Sequence, residues 1–302
     1  MTEAGLETDL IFNHHLDLPY FASFPLLDTE SGRATLRAYY ESFVALARRS
    51  GTGVVFETPT WRANSDWATL LGYSEQQLDN VNGAAVKLLR DLGADNPDVT
   101  MVVSGNLGPR GDGYAIEATM TASEAAAYHG AQIRAFAGAG ADLVSVLTIT
   151  YVDEAVGIAI AADEVGLPVV ISFTLETDGN LPSGQSLAEA IKHVDEMTGA
   201  TPAYYMVNCA HPSHFASVLA KPGPWDRLRG VRANASRMSH AELDNATELD
   251  RGDVSDLAEQ YLALSRALPK LAVVGGCCGT DITHLEAIMS SIVRATAQYR
   301  GL

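Results

Sequence analysis

Residues 271–280 read LAVVGGCCGT. Leu271 to Val274 have the length and β-branched content of a buried strand. The glycines that follow permit a sharp turn, so Cys277 and Cys278 fall just past a strand's C-terminal end. The only other cysteine, Cys209, has the same setting, because apolar Tyr204–Val207 leads into Asn208-Cys209. All three cysteines therefore sit at predicted strand ends. Whether they meet depends on how the strands are arranged.

Upstream, one unit repeats. Strands are predicted over 53–57, 100–104, 142–150, 168–174, 203–209 and 230–235 from their apolar, β-branched runs. Helices are predicted between them, over 29–50, 75–92, 121–138, 153–165, 186–198, 214–220 and 254–268, with 281–299 closing the chain. Glycines stop several of these helices, as Gly51, Gly93 and Gly166 do. Strands alternating with helices imply parallel βαβ units. Seven clear units, and a first one poorly defined within residues 1–27, predict a (β/α)8 TIM barrel with an abbreviated first strand. A doubly wound open sheet is the alternative. No linker rich in Gly, Pro or Ser divides the chain, so residues 1–302 are expected to form one domain. The long loops follow strands, which in a barrel puts them on the C-terminal face where active sites are built.

Composition narrows the class. Of 302 residues, 47% are hydrophobic, which supports a large core, and the net charge is -17. Phosphate recognition needs clustered Lys and Arg, so neither nucleic acid nor an anionic membrane is an expected partner. The start, MTEAGLETDLIF, has no basic segment followed by an apolar one, and no apolar run has the length of a membrane span. An odd count of three cysteines does not fit a disulfide framework. A reducing cytoplasm is the expected setting. His14, His15 and Asp17 read as a surface loop rather than a metal site.

In a barrel the strands ending at Cys209 and Cys277 are near neighbours. Soft thiolates select zinc over magnesium or calcium, and three protein ligands leave a fourth position for substrate. A Zn²⁺ centre with three thiolates is a poor Lewis acid toward a carbonyl. It is well suited to holding a further thiol as the thiolate, a nucleophile for alkyl transfer. Two other readings fit the same residues: a redox pair of adjacent cysteines, or small buried hydrophobes.

GGCCGT at 275–280, together with Val207-Asn208-Cys209, resembles the zinc signature of the homocysteine S-methyltransferase family. The resemblance extends to Gly5–Leu10 near the start, to Glu57-Thr58-Pro59-Thr60-Trp61, to Gly108-Pro109 and to Ala233-Asn234-Ala235. It implies a barrel in which Cys209, Cys277 and Cys278 bind Zn²⁺ and the metal holds homocysteine sulfur. It also implies an acceptor pocket that includes Glu3, Thr58, Asn208 and Asn234. Glu3 stands where the family usually has an Asp that holds the acceptor amino group. Leu147 stands where it usually has a Glu for the same group. The implied function is zinc-dependent methyl transfer from a sulfonium or ammonium donor to a metal-held thiol, by default homocysteine, giving methionine. Two alternatives are a different thiol acceptor and a thiol-binding module that serves a separate corrinoid protein. Partners are then a small-molecule thiol and a methyl donor. Trp61, Trp67 and Tyr114 are aromatic candidates for contact with a cationic donor.

Overall fold

The computed structural model describes residues 1–116 and 118–300. Residues 117, 301 and 302, part of the expected 1–302 domain, lie outside the described residues. Seven parallel strands form one sheet in sequence order: β1 (Val54–Glu57), β2 (Met101–Leu107), β3 (Leu143–Ile149), β4 (Val169–Phe173), β5 (Tyr204–Asn208), β6 (Leu228–Ala233) and β7 (Val273–Gly276). The open edges, β1 and β7, are bridged by the first residues of the chain. Val55 N–H donates to the Met1 carbonyl (2.8 Å), Thr2 N–H to that of Val274 (2.8 Å), and Gly276 N–H to that of Glu3 (3.0 Å). Residues 1–3 thus take the place of an eighth strand. The structure is the expected α/β TIM barrel with an abbreviated first strand, and the open-sheet alternative falls because both edges are paired.

The helices outside this barrel start where the sequence supplies caps. Thr29 accepts from Gly32 N–H at the start of Glu30–Ser50, and Gly51 ends that helix at φ 65°. Ser74 with Gln77, Thr121 with Glu124, and Ser186 with Glu189 make reciprocal capping boxes for Glu75–Asp95, Ala122–Ala139 and Leu187–Thr198. The helix expected to stop at Gly93 continues through it to Asp95. That glycine sits mid-helix with Met101 packed against it, and glycine only weakens a helix already held by tertiary packing.

Period-two alternation divides each strand between two environments. Phe56, Val144, Ile171, Tyr205 and Val231 belong to the large core shared with the helices. Leu147, Val170 and Met206 form a separate cluster with Leu143, Tyr204, Val273 and Trp61, which fills the barrel interior. Nearer the C-terminal strand ends the inward side chains turn polar: Glu57, Ser104, Ser145, Ser172, Asn208 and Arg232, all buried. The functional site sits above this polar layer.

Candidate metal centre

Cys209 directly follows β5 and Cys277 directly follows β7, two strands away across β6. Backbone hydrogen bonds fix both to β6: Cys209 N–H donates to the Arg232 carbonyl (3.1 Å) and Cys277 N–H to that of Ala233 (2.9 Å). Cys209 holds a left-handed conformation, φ 53°, which turns the chain sharply off the strand. Gly275 and Gly276 are glycines because of what surrounds them. A Cβ on the first would collide with the Thr2 hydroxyl, and one on the second with the Thr280 hydroxyl. The side chain of Thr280 in turn donates to the Cys277 carbonyl (2.7 Å).

The three cysteine sulfurs converge within 4.8 Å of one another. Among the described residues this is the one cluster of metal-ligating side chains of that kind. The sulfurs of Cys209 and Cys277 lie within bonding distance as a disulfide, and Cys278 stands outside that pair. The convergence agrees with the sequence reading. The pairing differs from the redox alternative of adjacent cysteines, because the partners lie on different strands. His14, His15 and Asp17 are exposed and stand apart from the cluster.

The cysteines open onto a cavity of about 390 Å³. Its floor includes Glu3, Glu57, Asn208 and Arg232, and its walls include Phe12, Phe21, Trp61 and Tyr114. The loop after β6 contributes Ser236, Leu243 and Asp250. Six carboxyl groups and two guanidinium groups line it, so the cavity is acidic.

Each candidate residue has a definite place. Asn208 acts as a clip. Its Oδ1 accepts from Thr148 N–H (2.8 Å) and Ser172 Oγ (2.7 Å), while its Nδ2 donates to Thr148 Oγ1 (2.8 Å) and approaches Cys277 Sγ (3.9 Å). A register shift in β3 and a left-handed Thr148, φ 67°, bring that backbone N–H into reach. Thr58 lines the cavity, and its hydroxyl accepts from Asn106 N–H (2.8 Å), tying β1 to β2. Asn234 stands behind the cysteines rather than among the lining residues, and its Nδ2 donates to the Cys209 carbonyl (3.1 Å). Glu3 is buried and paired with Arg232 (2.6 Å). Of the aromatic candidates, Trp61 and Tyr114 line the cavity. Trp67 stacks on Arg62, 4.0 Å from ring centre to guanidinium carbon, and is not among the lining residues.

Other contacts of the site were not foreseen from sequence, nor were the roles of His240, Glu7, Glu57 and Arg232. Tyr114 Oη lies 3.5 Å from Cys278 Sγ, and its ring stacks on His240 at 4.1 Å. His240 Nε2 donates to the Cys209 carbonyl (2.7 Å). Burial raises the Glu7 carboxyl above its ordinary range, partly offset by its hydrogen bond from Ser23. Burial and the like charge of Glu3 push Glu57 up to about 7. Burial pulls the Arg232 guanidinium down, but Glu3 and Glu57 outweigh it and hold it above its ordinary value. The signal for Glu57 and Arg232 lay in the strands themselves: each is a charged residue at an inward, buried position of its strand, unlike the exposed Arg229 of β6.

Three cysteines gathered over an acidic cavity at the C-terminal rim of a barrel make a centre suited to a soft metal ion or a thiol. The chain belongs to the homocysteine S-methyltransferase family, whose model matches residues 2–292. It is accordingly a methyltransferase. Among solved structures, its fold is similar to that of the homocysteine methyltransferase MmuM from Escherichia coli. The metallated form matches at TM-score 0.72 and 19% identity, over 96% of this chain and 95% of that one. The oxidized form matches at TM-score 0.74 and 20% identity, over 96% and 94%. At such identities the likeness is one of fold. Among the described residues, no helix is long and apolar enough to cross a membrane.

Proposed function

We propose that this chain is a zinc-dependent thiol S-methyltransferase, with homocysteine as the default acceptor and methionine as the product. The observation that carries the reading is the convergence of Cys209, Cys277 and Cys278 within 4.8 Å at the rim of the acidic cavity. Three soft sulfur donors suit zinc and leave one tetrahedral position for a substrate sulfur. Cys209 and Cys277 hold a metal only as thiolates, so their disulfide must first be reduced. Bound there, zinc supplies a positive charge that keeps the acceptor sulfur deprotonated at neutral pH. The chain is read as one barrel domain acting in the cytoplasm.

This chain's own residues do the positioning. Asn208 and Thr280 fix Cys277, Asn234 and His240 fix the backbone at Cys209, and Tyr114 approaches Cys278. The acceptor sulfur's lone pair forms a bond to the methyl carbon, and the bond from that carbon to the donor's sulfur or nitrogen breaks. Its electron pair stays on the leaving atom, which becomes neutral, so no general acid is required. The carboxyl groups of the cavity favour a cationic donor. Trp61 and Tyr114 offer aromatic faces for it.

The test joins metal analysis to a transfer assay. The reduced protein should bind about one zinc per chain and methylate homocysteine from a sulfonium donor. Cys278→Ser should lose both while keeping its far-ultraviolet circular dichroism. Full activity in Cys278→Ser, or failure of the reduced protein to bind zinc, would sink the reading. Leu147, an apolar side chain on the cavity wall, favours a second reading with the same chemistry on a different thiol. Comparing acceptor thiols with one donor separates the two.

A further inference from the structure

One cation in the acidic cavity has no carboxylate of its own. The guanidinium groups that line it are those of Arg232 and Arg62. Arg232 is paired with Glu3. Arg62, on the loop after β1, makes no ion pair among the described residues, and its described hydrogen bond runs from Nη1 to the Gly111 carbonyl (2.7 Å). The nearby carboxyl groups are turned elsewhere: Asp112 accepts from Tyr114 N–H (2.7 Å) and Ala115 N–H (3.0 Å), and Glu7 accepts from Ser23 Oγ (2.7 Å). Burial pulls the Arg62 guanidinium below its ordinary value, and the charges of Asp112 and Glu7 offset this only in part. Its Nε is buried without a partner. Buried polar atoms are nearly always paired, so such a donor beside a cavity marks a missing acceptor.

The group is held in place before any ligand arrives. Its guanidinium carbon lies 4.5 Å from the centre of the Trp61 ring and 4.0 Å from that of Trp67. Phe21 packs edge-on against Trp61 (6.3 Å), and Tyr20 tilts against Trp67 (5.9 Å). Tyr20 and Phe21 are consecutive left-handed residues, φ 56° and 60°, a costly conformation of the kind that gathers at ligand clamps. With Nη1 bonded to Gly111, the edge left over is Nε with Nη2. The N–H bonds of that edge run parallel and match the two oxygens of a carboxylate.

Trp61 joins this group to the cysteines. Its Nε1 donates to the Leu147 carbonyl (3.3 Å), and the next residue, Thr148, reaches Cys209 Sγ (4.0 Å). An onium seated on Trp61 and Tyr114, its methyl turned to the cysteine rim, has Arg62 beside the same indole. A simple onium would leave Arg62 unpaired and add a like charge next to it. An onium that also carries a carboxylate supplies the missing acceptor.

We propose that Arg62 is the specificity-determining residue for the methyl donor: its Nε–Nη2 edge receives a carboxylate on the donor's tail and so selects zwitterionic donors over simple onium cations. The inference rests on the thiol-methyltransferase reading and adds the residue that chooses the donor.

The experiment is calorimetric titration of the reduced, zinc-loaded protein with three sulfonium probes. S-methyl-L-methionine and dimethylsulfoniopropionate carry a carboxylate at different distances from sulfur. Dimethyl(3-methylbutyl)sulfonium has methyl groups in place of the carboxylate oxygens of the second. An acidic cavity by itself favours the simple cation, so the wild type should bind at least one carboxylate probe more tightly only because Arg62 receives it. Arg62→Gln should weaken that probe roughly tenfold to a hundredfold, the range for a charge-assisted bond. It should not weaken the simple cation, and zinc content should stay unchanged. Arg62→Lys keeps the charge without the fork and should recover part of the loss. A wild type that binds the simple cation as tightly as both carboxylate probes overturns the proposal and leaves the methyltransferase reading standing. An equal loss for all probes in Arg62→Gln also overturns it, because Arg62 then serves only to hold the loop at Gly111. Binding of none of the probes overturns the proposal, and the zinc and transfer assay decides the methyltransferase reading separately. The wild-type comparison holds even if Arg62→Gln fails to fold.

Discussion

Glu3 and Arg232 form an ion pair of 2.6 Å, both side chains almost wholly buried, between the first residues of the chain and β6. The pair fastens the segment that completes the barrel, since Arg232 also donates to the Ala4 carbonyl. Removing one member of such a pair strands the other charge in a low-dielectric interior, which costs about 3–5 kcal/mol. Arg232→Met should therefore destabilise the protein by an amount in that range at neutral pH. Urea unfolding measures it. A loss below about 1 kcal/mol, the scale of an exposed pair, would show that water reaches Glu3 freely.

Tyr114 has two separable roles, one foreseen from sequence and one seen only in the structure. Its ring is a candidate surface for a cationic donor, while its hydroxyl approaches Cys278 Sγ at 3.5 Å. Tyr114→Phe keeps the ring and deletes the hydroxyl. Groups that hydrogen-bond a metal ligand typically account for about 10–100-fold in metal affinity or activity. Tyr114→Phe should lower zinc affinity by about tenfold and change the KM for the donor little. Zinc competition with a chromophoric chelator and steady-state kinetics check the two halves. Unchanged zinc affinity with a raised donor KM would reverse the assignment.

Glu57 gives the stability of the protein a pH dependence of definite sign. Its carboxyl is raised from 4.5 to about 7 by burial and by Glu3, against Arg232, Ser104 and Ser145, which favour the charged form. Between those values the folded state binds more protons than the unfolded state. Stability from this group is full below about pH 4.5 and is lost as pH rises through about 7. Glu57→Gln removes the titration. The difference in unfolding free energy, wild type minus variant, should fall by on the order of 3 kcal/mol across that window. A flat difference from pH 4.5 to 7 would mean that Glu57 is solvated.

Much of this arrangement was readable in the chain. The strand and helix alternation located all seven strands to within a few residues, because most are short apolar runs that lead into an amphipathic helix. The convergence of Cys209 with Cys277 and Cys278 follows from barrel order once each cysteine is placed at a strand end. Closure by Met1, Thr2 and Glu3 was legible only as a gap, since three residues carry no periodicity. The bonds of Asn208, the reach of His240 to Cys209 and the Glu3–Arg232 pair depend on register and twist between distant strands. A β3 register shift and a left-handed Thr148 leave no local signature in Val146-Leu147-Thr148.

Leu147 is the position where sequence and structure can be tested against each other most directly. It is 6% exposed and packs with Val170 and Met206 inside the barrel, with Trp61 alongside. Trp61 Nε1 donates to the Leu147 carbonyl (3.3 Å), which holds the indole against this cluster. Leu147→Glu would supply a carboxylate on the cavity wall, but would bury it against Val170 and Met206, with the Trp61 Nε1 donor already given to the backbone carbonyl at 147. Burying a polar group without a partner costs at least about 1–3 kcal/mol, and more when it is charged. The variant should be destabilised by about 2 kcal/mol or more at pH 7. The carboxyl would keep its proton to a higher pH than in the unfolded chain, so the penalty should shrink as pH falls toward about 4. Urea unfolding at pH 7 and at pH 4.5 measures both quantities. A variant as stable as the wild type at pH 7 would show that position 147 faces water in the cavity, and that its apolar side chain shapes the choice of acceptor rather than the packing of the barrel.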